Sequence, residues 1–231
     1  MSWMQTATGR RVDFLNPDPK QIDLRDVARA LGGNCRYVGG TTKHYSVAEH
    51  SNRISRFLFR DYAAAIEDVH FGRDRNARLL AIEQERDARL LTMGTILSAH
   101  FHDAPEAYMG DPPYPLKQAM PEIVRHWYDG VEVRLGTAME VAFGLSPGMI
   151  TSPPDVVKRL DASIVVSERE QLLNASGEEN FDGWFTPAEG VGFDWLPAEC
   201  WDRDTAADIW LTHAREYLAL WSDLTPRRDL K

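Results

Sequence analysis

A set of imidazole and carboxylate side chains in this sequence has the types and spacing that suit metal-dependent chemistry. In chain order these candidates are His50, His102, Asp103, Glu106, Asp111 and Asp161. The adjacent pair His102-Asp103 begins a short run that also contains two of the other carboxylates. Imidazole and carboxylate together suit a divalent transition metal that keeps positions open for water and substrate. These residues therefore predict a metal-dependent hydrolase.

The composition narrows the class of protein. The chain has 231 residues, of which 43% are hydrophobic, enough to build the core of one domain. The formal net charge of −9 argues against long nucleic acid or an anionic membrane surface as the main partner, whereas a small phosphorylated substrate stays compatible. Two cysteines, no secretory signal pattern and no apolar run of the roughly 20 residues that span a bilayer predict a cytoplasmic protein.

Helical periodicity predicts the elements around the first candidate. One helix is expected to begin after Asp23, which serves as its N-cap, and to end at Gly32-Gly33. Residues 33–45 are expected to form a loop. Ser46 and Glu49 have the spacing of a capping box, which predicts that a second helix begins there and carries His50.

The rest of the chain is predicted to be helical as well. An apolar helix leads into His102-Asp103 and is expected to end at the proline-rich segment 110–115. Further helices are expected at 121–143, at 156–173 and at 202–222, and the second of these carries Asp161. The segments expected to be irregular or solvent-exposed are 1–21, the densely charged stretch 72–90 and the long loop 174–200. Because no strong alternating pattern indicates strands, the sequence predicts an all-α fold.

Several short motifs resemble the HD-domain phosphohydrolases. They are Arg36-Tyr37, Tyr-Ser-Val-Ala-Glu-His-Ser over 45–51, His102-Asp-Ala-Pro-Glu-Ala-Tyr-Met-Gly-Asp111, Lys117 and Lys-Arg-Leu-Asp161. The sequence looks similar to the branch that contains the 5'-deoxynucleotidases and the phage dATP triphosphohydrolases. The resemblance implies one HD-type helical bundle over 1–231, with a core at about 22–175 and a C-terminal loop and helix at 176–231.

The same resemblance implies roles for individual residues. It implies one divalent metal ion (Co, Mn, Zn, Mg or Fe) with the ligands His50, His102, Asp103 and Asp161. It makes Glu106 and Asp111 the acid–base residues, without separating which one orients the water and which one protonates the leaving oxygen. It makes Arg36, Tyr37 and Lys117 substrate-binding residues. Tyr37 departs from the pattern, since the deoxynucleotidases carry a tryptophan there, so base and sugar selectivity do not carry over.

The function expected from this pattern is hydrolysis of a 5'-deoxynucleoside monophosphate to a nucleoside and phosphate. One alternative is a dNTP triphosphohydrolase that releases triphosphate, and another is an inactive HD-fold module that senses nucleotides or binds partners. A two-metal phosphodiesterase would need further histidines on neighbouring helices, which the sequence does not show. The partners expected are a small nucleotide and, because relatives assemble, further copies of the chain as a homo-oligomer. The expected compartment is a bacterial cytoplasm, or the host cytoplasm for a phage protein.

Other histidines and aromatic residues carry weaker predictions. His100 is expected to point away from the metal face, His126 to lie at the surface or in packing, and His44 is left open between packing and the phosphate site. The aromatic residues between 181 and 201 are expected to pack under the long loop or to cover the site as a lid.

Overall fold

The computed structural model of the protein describes residues 1–67, 75–173 and 195–225, with only the helical backbone at 61–67 and 75–87. Its helices are α1 (Leu24–Gly33), α2 (Val47–Glu67), α3 (Arg75–Phe101), α4 (Glu106–Met109), α5 (Tyr114–Ala119), α6 (Glu122–Phe143), α7 (Asp155–Leu172) and α8 (Arg203–Leu224). Short 3-10 turns cover Pro19–Gln21 and Arg36–Gly39, and two strands, β1 (Trp3–Gln5) and β2 (Arg11–Asp13), pair in a small hairpin. The prediction of an all-α fold is confirmed.

The N-terminal arm is more regular than the sequence predicted. β1 and β2 pair antiparallel, with Met4 opposite Val12. The hairpin is tied to α1 because the buried carboxylate of Asp26 accepts hydrogen bonds from the Thr6 hydroxyl (2.6 Å) and the Thr8 backbone N–H (2.9 Å). Strands of three residues are too short to show alternation, which explains why the pattern was missed.

Helix α1 begins and ends where the sequence predicted. Asp23 is its N-cap, and the Asp23 side chain accepts the Arg25 backbone N–H. The glycine pair at its end also allows a close contact with α8. A Cβ atom at Gly32 would lie 2.5 Å from the carbonyl oxygen of Arg203 and 2.9 Å from the backbone nitrogen of Ala207. Glycine at this position therefore lets the two helices approach.

Helix α2 lies at the centre and packs on two sides. Its contacts with α3 and α8 belong to the main core, where Trp210 is fully buried and donates its indole N–H to the Ser51 hydroxyl. On its other side, Ile54 packs with Leu160 and Ile164 of α7 in a second apolar cluster. Helix α7 is thereby fixed against α2 by apolar contacts, which sets the distance between the polar residues that both helices carry.

The helix that leads into the His-Asp pair ends earlier than predicted. Helix α3 stops at Phe101, His102 and Asp103 lie in the following turn, and a separate short helix begins at Glu106. The prolines after Gly110 also behave differently from the prediction, because Pro113 caps α5 and a further proline lies in its first turn. A proline in the first turn lacks an N–H that would have no partner there anyway, so it can begin a helix.

The predicted long loop at 174–200 lies largely outside the described residues, as does part of the charged stretch 72–90. The aromatic residues of that loop at 181–193 therefore have no structural outcome, whereas Trp195 packs on Phe57 with ring centroids 4.9 Å apart. Among the helices in the described part of the chain, none combines the length and apolar character needed to cross a lipid bilayer.

Candidate metal centre

Four ligand atoms from three separate elements converge at one end of the bundle. His50 comes from α2, His102 and Asp103 from the turn after α3, and Asp161 from α7. Asp161 Oδ1 lies 3.0 Å from His50 Nε2 and 3.8 Å from His102 Nε2. Asp103 Oδ2 lies 3.6 Å and 3.2 Å from the same two nitrogen atoms.

These spacings suit a bound ion. With metal–ligand distances of about 2.1 Å, adjacent ligand atoms of an octahedral ion lie about 3 Å apart and opposite ones about 4.2 Å apart. Ligand atoms of His50, His102 and Asp161 all lie within 4.8 Å of one another. The group can therefore hold a metal ion, as the sequence predicted, and Asp103 lies close enough to join it.

Both imidazoles are oriented by a hydrogen bond on the far side of the ring. His50 Nδ1 lies 2.7 Å from the carboxylate of Glu168, and His102 Nδ1 lies 2.9 Å from the carbonyl oxygen of Ala99. Because both partners are acceptors, each Nδ1 acts as a donor, and each Nε2 faces the carboxylates of the cluster. His102 Nε2 is buried without a hydrogen-bond partner, a cost that a metal ion would remove.

The buried carboxylates of the cluster require nearby positive charge. Burial opposes the charging of His102, but Asp103 and Asp161 raise its pKa well above the ordinary value. Burial likewise works against the Asp161 carboxylate, yet the adjacent imidazoles of His102 and His50 hold its pKa well below the usual range. The two carboxylates are thus stabilised by positive charge on the imidazoles and on the nearby Arg36, and a divalent ion would meet the same need directly.

The two predicted acid–base residues lie beside the cluster. Glu106 is nearly buried, its Oε1 lies 3.8 Å from Lys117 Nζ, and its Oε2 has no hydrogen-bond partner. Burial, followed by the nearby charges of Asp103 and Asp111, raises the pKa of Glu106 well above that of an ordinary glutamate. Asp111 follows α4 and lies 3.9 Å from Arg36 Nη1. The environment therefore favours a carboxyl at Glu106 that can hold a proton.

The loop before α2 positions Arg36 beside the metal-ligand candidates. Arg36 Nη1 lies 3.5 Å from Asp103 Oδ2, and its Nε lies 3.5 Å from Glu168 Oε2. The side chain is 12% exposed, so most of the guanidinium lies within the site. An arginine far from the HD pair in sequence is thus in contact with a metal-ligand candidate, whereas its predicted contact with a phosphate stays a prediction.

Tyr37 contacts a buried carboxylate and also lines a small cleft beside Arg36. Its hydroxyl donates to Glu168 at 2.7 Å, and its ring lies 5.8 Å from the guanidinium carbon of Arg36. Tyr37 and Val38 both have φ of 55°, in the left-handed region that L-residues rarely adopt. For a β-branched residue such as Val38 this conformation costs on the order of 1–2 kcal/mol, so surrounding contacts must hold the loop.

Glu168 is the main site residue that sequence reasoning missed. It is fully buried and contacts both His50 and the loop that carries Arg36. Despite burial, Arg36 and His50 hold its pKa well below the ordinary value, so it is a carboxylate. A signal was present, because Glu168 lies seven residues after Asp161 and so on the same face of a helix.

The other histidines in the described part of the chain lie outside the cluster. His100 lies 2.9 Å from the Ser55 hydroxyl and 3.0 Å from the carbonyl oxygen of Trp210, and burial lowers its pKa to about 3, so its predicted packing role is confirmed. His44 lies between the thiol of Cys35 (3.4 Å) and a backbone carbonyl (3.2 Å). His126 is exposed on α6.

The cavities of the described structure differ in what lines them. A cleft of about 90 Å³ adjoins the cluster and is lined by Arg36, Asp111 and Tyr114 among others. A larger cavity of about 710 Å³ is lined mainly by apolar residues such as Leu91, Met149 and Trp221 and by none of the cluster. Chemistry rather than volume therefore identifies the candidate site.

Comparisons with known proteins give relatives without an assigned function. No protein-family model matches the sequence. The chain is 26% identical to the uncharacterized protein YfdR of Escherichia coli K12 over 172 residues, which cover 74% of this chain and 73% of YfdR. It is 30% identical to the uncharacterized protein RCAP_rcc00048 of Rhodobacter capsulatus over 181 residues, which cover 77% of this chain and 76% of that protein. The chain therefore belongs to the same family as RCAP_rcc00048.

Proposed function

We propose that the protein is a metal-dependent phosphohydrolase of the HD type, acting on a 5'-deoxynucleoside monophosphate. The observation that carries the proposal is the convergence of two imidazole Nε2 atoms and two aspartate oxygens beside a buried glutamate and an arginine. The orientation of both imidazoles supports it further, because each Nδ1 is already occupied by an acceptor. The resemblance of the sequence to HD-domain phosphohydrolases supplies the reaction class.

A divalent ion held by His50, His102, Asp103 and Asp161 would supply a Lewis acid for a phosphoryl oxygen and would acidify a water molecule. In this proposal Arg36 binds the phosphate. Its planar guanidinium suits a bidentate contact with two phosphate oxygens, and its buried Nε still lacks a hydrogen-bond partner.

Glu106 is assigned to proton transfer with the attacking water. Its Oε2 is buried and unpartnered, so it is free to bond with a water or substrate that enters the site. Lys117 lies 3.8 Å from the other oxygen of Glu106 and 5.6 Å from the ring of Tyr128. These contacts place a positive charge beside the carboxyl group, where it can also approach a phosphate oxygen. Asp111, on the Arg36 side of the site, remains to hold the water or protonate the leaving oxygen.

A monophosphate fits these surroundings better than a triphosphate. Arg36 and Lys117 bring two positive charges to the carboxylates of the site, which suits a single phosphate group. A triphosphate would extend further and needs more compensating charge than these two groups supply.

The test is a substrate panel. The protein is loaded with Co²⁺ or Mn²⁺ and incubated with NMPs, dNMPs and dNTPs, and the products are separated by chromatography. Nucleoside with inorganic phosphate is the expected result, and nucleoside with triphosphate would replace the proposal by a dNTP triphosphohydrolase. Binding of neither metal, or no product from any nucleotide, would overturn it.

A pair of aspartate variants shows whether the metal and the activity belong to this site. Asp103→Ala should lose both the bound metal, measured by elemental analysis, and the hydrolytic activity. Asp155→Ala is the matched control, because Asp155 lies on α7 with its side chain 86% exposed. This control should keep both.

A further inference from the structure

Glu168 has an unusual set of partners for a buried carboxylate. It is 0% exposed, and it accepts three hydrogen bonds of 2.7 Å, from His50 Nδ1, the Tyr45 hydroxyl and the Tyr37 hydroxyl. Burying a carboxylate costs several kcal/mol unless close donors compensate, and an apolar residue would fill the same space more cheaply. The role of this carboxylate therefore lies in the groups that it holds in place.

The two oxygens of Glu168 serve different parts of the site. Oε1 accepts from His50 and from Tyr45, and Tyr45 is in turn held by Arg53 Nη1 at 3.0 Å. Oε2 accepts from Tyr37 and lies 3.5 Å from Arg36 Nε. One oxygen thus faces a metal-ligand candidate. The other faces the loop that carries Arg36 and Tyr37, called the anion-binding loop because the proposed function assigns the phosphate to Arg36.

Each oxygen of Glu168 restrains a group that the site requires in one orientation. On the Oε1 side, the bond to Nδ1 fixes the tautomer and rotation of the His50 ring, so that Nε2 faces Asp103 and Asp161. On the Oε2 side, the loop passes through the left-handed φ values of Tyr37 and Val38, and the Tyr37 hydroxyl bond anchors that segment.

We propose that Glu168 is a positioning residue that joins the metal centre to the anion-binding loop, with Oε1 orienting His50 for the ion and Oε2 orienting Arg36 and Tyr37 for the phosphate. The inference rests on the proposed function, since it assumes a metal in the cluster and a phosphate at Arg36. It adds a prediction that can be tested separately. Removing a partner of Oε1 should weaken metal binding more than phosphate binding, and removing a partner of Oε2 should do the reverse.

The experiment measures two equilibria rather than turnover. Co²⁺ affinity is followed by the visible absorption of the bound ion, and the affinity for inorganic phosphate is measured by calorimetry on the Co²⁺-saturated protein. Glu168→Gln should raise the Co²⁺ Kd by roughly 10–100-fold, the usual effect of losing such a ligand-orienting contact. It should also weaken phosphate binding, since an amide cannot accept from both sides as the carboxylate does.

Two tyrosine variants separate the sides and remain informative if Glu168→Gln does not fold. Tyr37→Phe removes a donor to Oε2 and should weaken phosphate binding roughly tenfold, the scale of one hydrogen bond to a charged group, while Co²⁺ Kd stays within about twofold. Tyr45→Phe removes a donor to Oε1 and should raise the Co²⁺ Kd more than the phosphate Kd. Glu170→Gln, exposed on the same helix, is the control and should change neither.

The outcomes distinguish this inference from the proposed function. If the unaltered protein binds no Co²⁺, the proposed function and the inference both fail. If it binds Co²⁺ and hydrolyses a nucleotide but Glu168→Gln keeps both affinities, only the positioning role is overturned. Equal losses of both affinities in Tyr37→Phe and Tyr45→Phe would also overturn it, because they would indicate general loosening of the packing.

Discussion

Two buried glutamates on successive long helices differ in what they bind. Glu140 on α6 uses Oε1 to accept backbone N–H groups of Gly148, Ile150 and Thr151 at 2.8–3.1 Å. Glu168 on α7 instead accepts from the side chains of a histidine and two tyrosines. Both side chains are buried, and each accepts at least three hydrogen bonds.

The kind of donor distinguishes a structural carboxylate from one that belongs to the candidate site. Backbone N–H groups neither titrate nor move, so Glu140 fixes the turn after α6 and does no more. The donors around Glu168 belong to residues of the candidate site. Glu106 is a third case, because one of its oxygens is buried with no partner at all. Buried carboxylates left unsatisfied are rare unless a ligand or water completes them.

The largest effect expected from this comparison is on turnover, at Glu106. Glu106→Ala should lower kcat by roughly 10²–10⁴-fold, the usual scale for a lost general acid–base group, because the residue acts on water and not as a metal ligand. Bound metal, measured by elemental analysis, should remain at the level of the unaltered protein. Thermal stability should not fall much either, since an unpartnered buried oxygen is removed. Loss of the metal in this variant would make Glu106 a ligand of the ion instead.

Glu140 should show the opposite behaviour. Glu140→Ala leaves three backbone N–H groups without their acceptor, which should lower the free energy of unfolding by about 3 kcal/mol. Denaturant titration measures the loss, and kcat and Co²⁺ affinity, determined well below the melting temperature, should be unchanged. A variant that kept its stability but lost metal would show that the distinction between the two kinds of carboxylate is wrong.

Arg36 should give a smaller effect that falls on the substrate. Arg36→Lys keeps the positive charge but loses the planar fork, so kcat/KM for the preferred nucleotide should fall at least roughly tenfold. The Co²⁺ Kd should change little, because Arg36 does not coordinate the ion in this proposal. The exposed residue Arg134 provides the control, and Arg134→Lys should leave kcat/KM unchanged. Normal kinetics in Arg36→Lys would remove the guanidinium from phosphate binding.

What the sequence predicted well was local or carried by a motif. The start of α1 at Asp23, the end of α6 at Gly144 and the start of α8 at Asp202 follow from capping residues and a glycine that act within a few positions. The metal-ligand candidates were identified because the motif specifies them by type and spacing, and three of them, His50, His102 and Asp161, form the cluster found in the structure.

What the sequence did not predict depends on contacts between distant segments. Glu49 was expected to complete a capping box with Ser46, yet its carboxylate accepts backbone N–H groups of residues 199–201 at 2.6–3.1 Å. Glu168 was missed for the same reason, since its donors lie more than 100 residues earlier in the chain. Tertiary packing decides which donors reach a buried carboxylate. The spacing of residues along the chain therefore does not predict these partners.

The smallest expected effect tests a carboxylate with mainly local partners, Asp23 at the start of α1. Its Oδ1 accepts the Arg25 backbone N–H at 2.9 Å, and the guanidinium groups of Arg25 and Arg10 lie 2.8 and 3.1 Å from Oδ2. Asp23→Ala should lower the free energy of unfolding by about 1 kcal/mol at neutral pH, the usual value for a lost N-cap, with metal binding unchanged.

The pH dependence gives this last prediction its sign. Hydrogen bonding to Arg25, against the opposing effect of burial, lowers the pKa of Asp23 well below its ordinary value of 3.8. A carboxyl whose pKa is lower in the folded state contributes stability that is present above the unfolded pKa and is lost as the pH falls through the folded pKa. The difference in unfolding free energy between the unaltered protein and Asp23→Ala should therefore be constant above about pH 5 and shrink below about pH 4. Asp129→Ala, an exposed change within α6, should show a difference of less than about 0.5 kcal/mol throughout. A difference for Asp23→Ala that stayed constant down to about pH 2 would show that the cap contributes through helix propensity and not through the charged carboxylate.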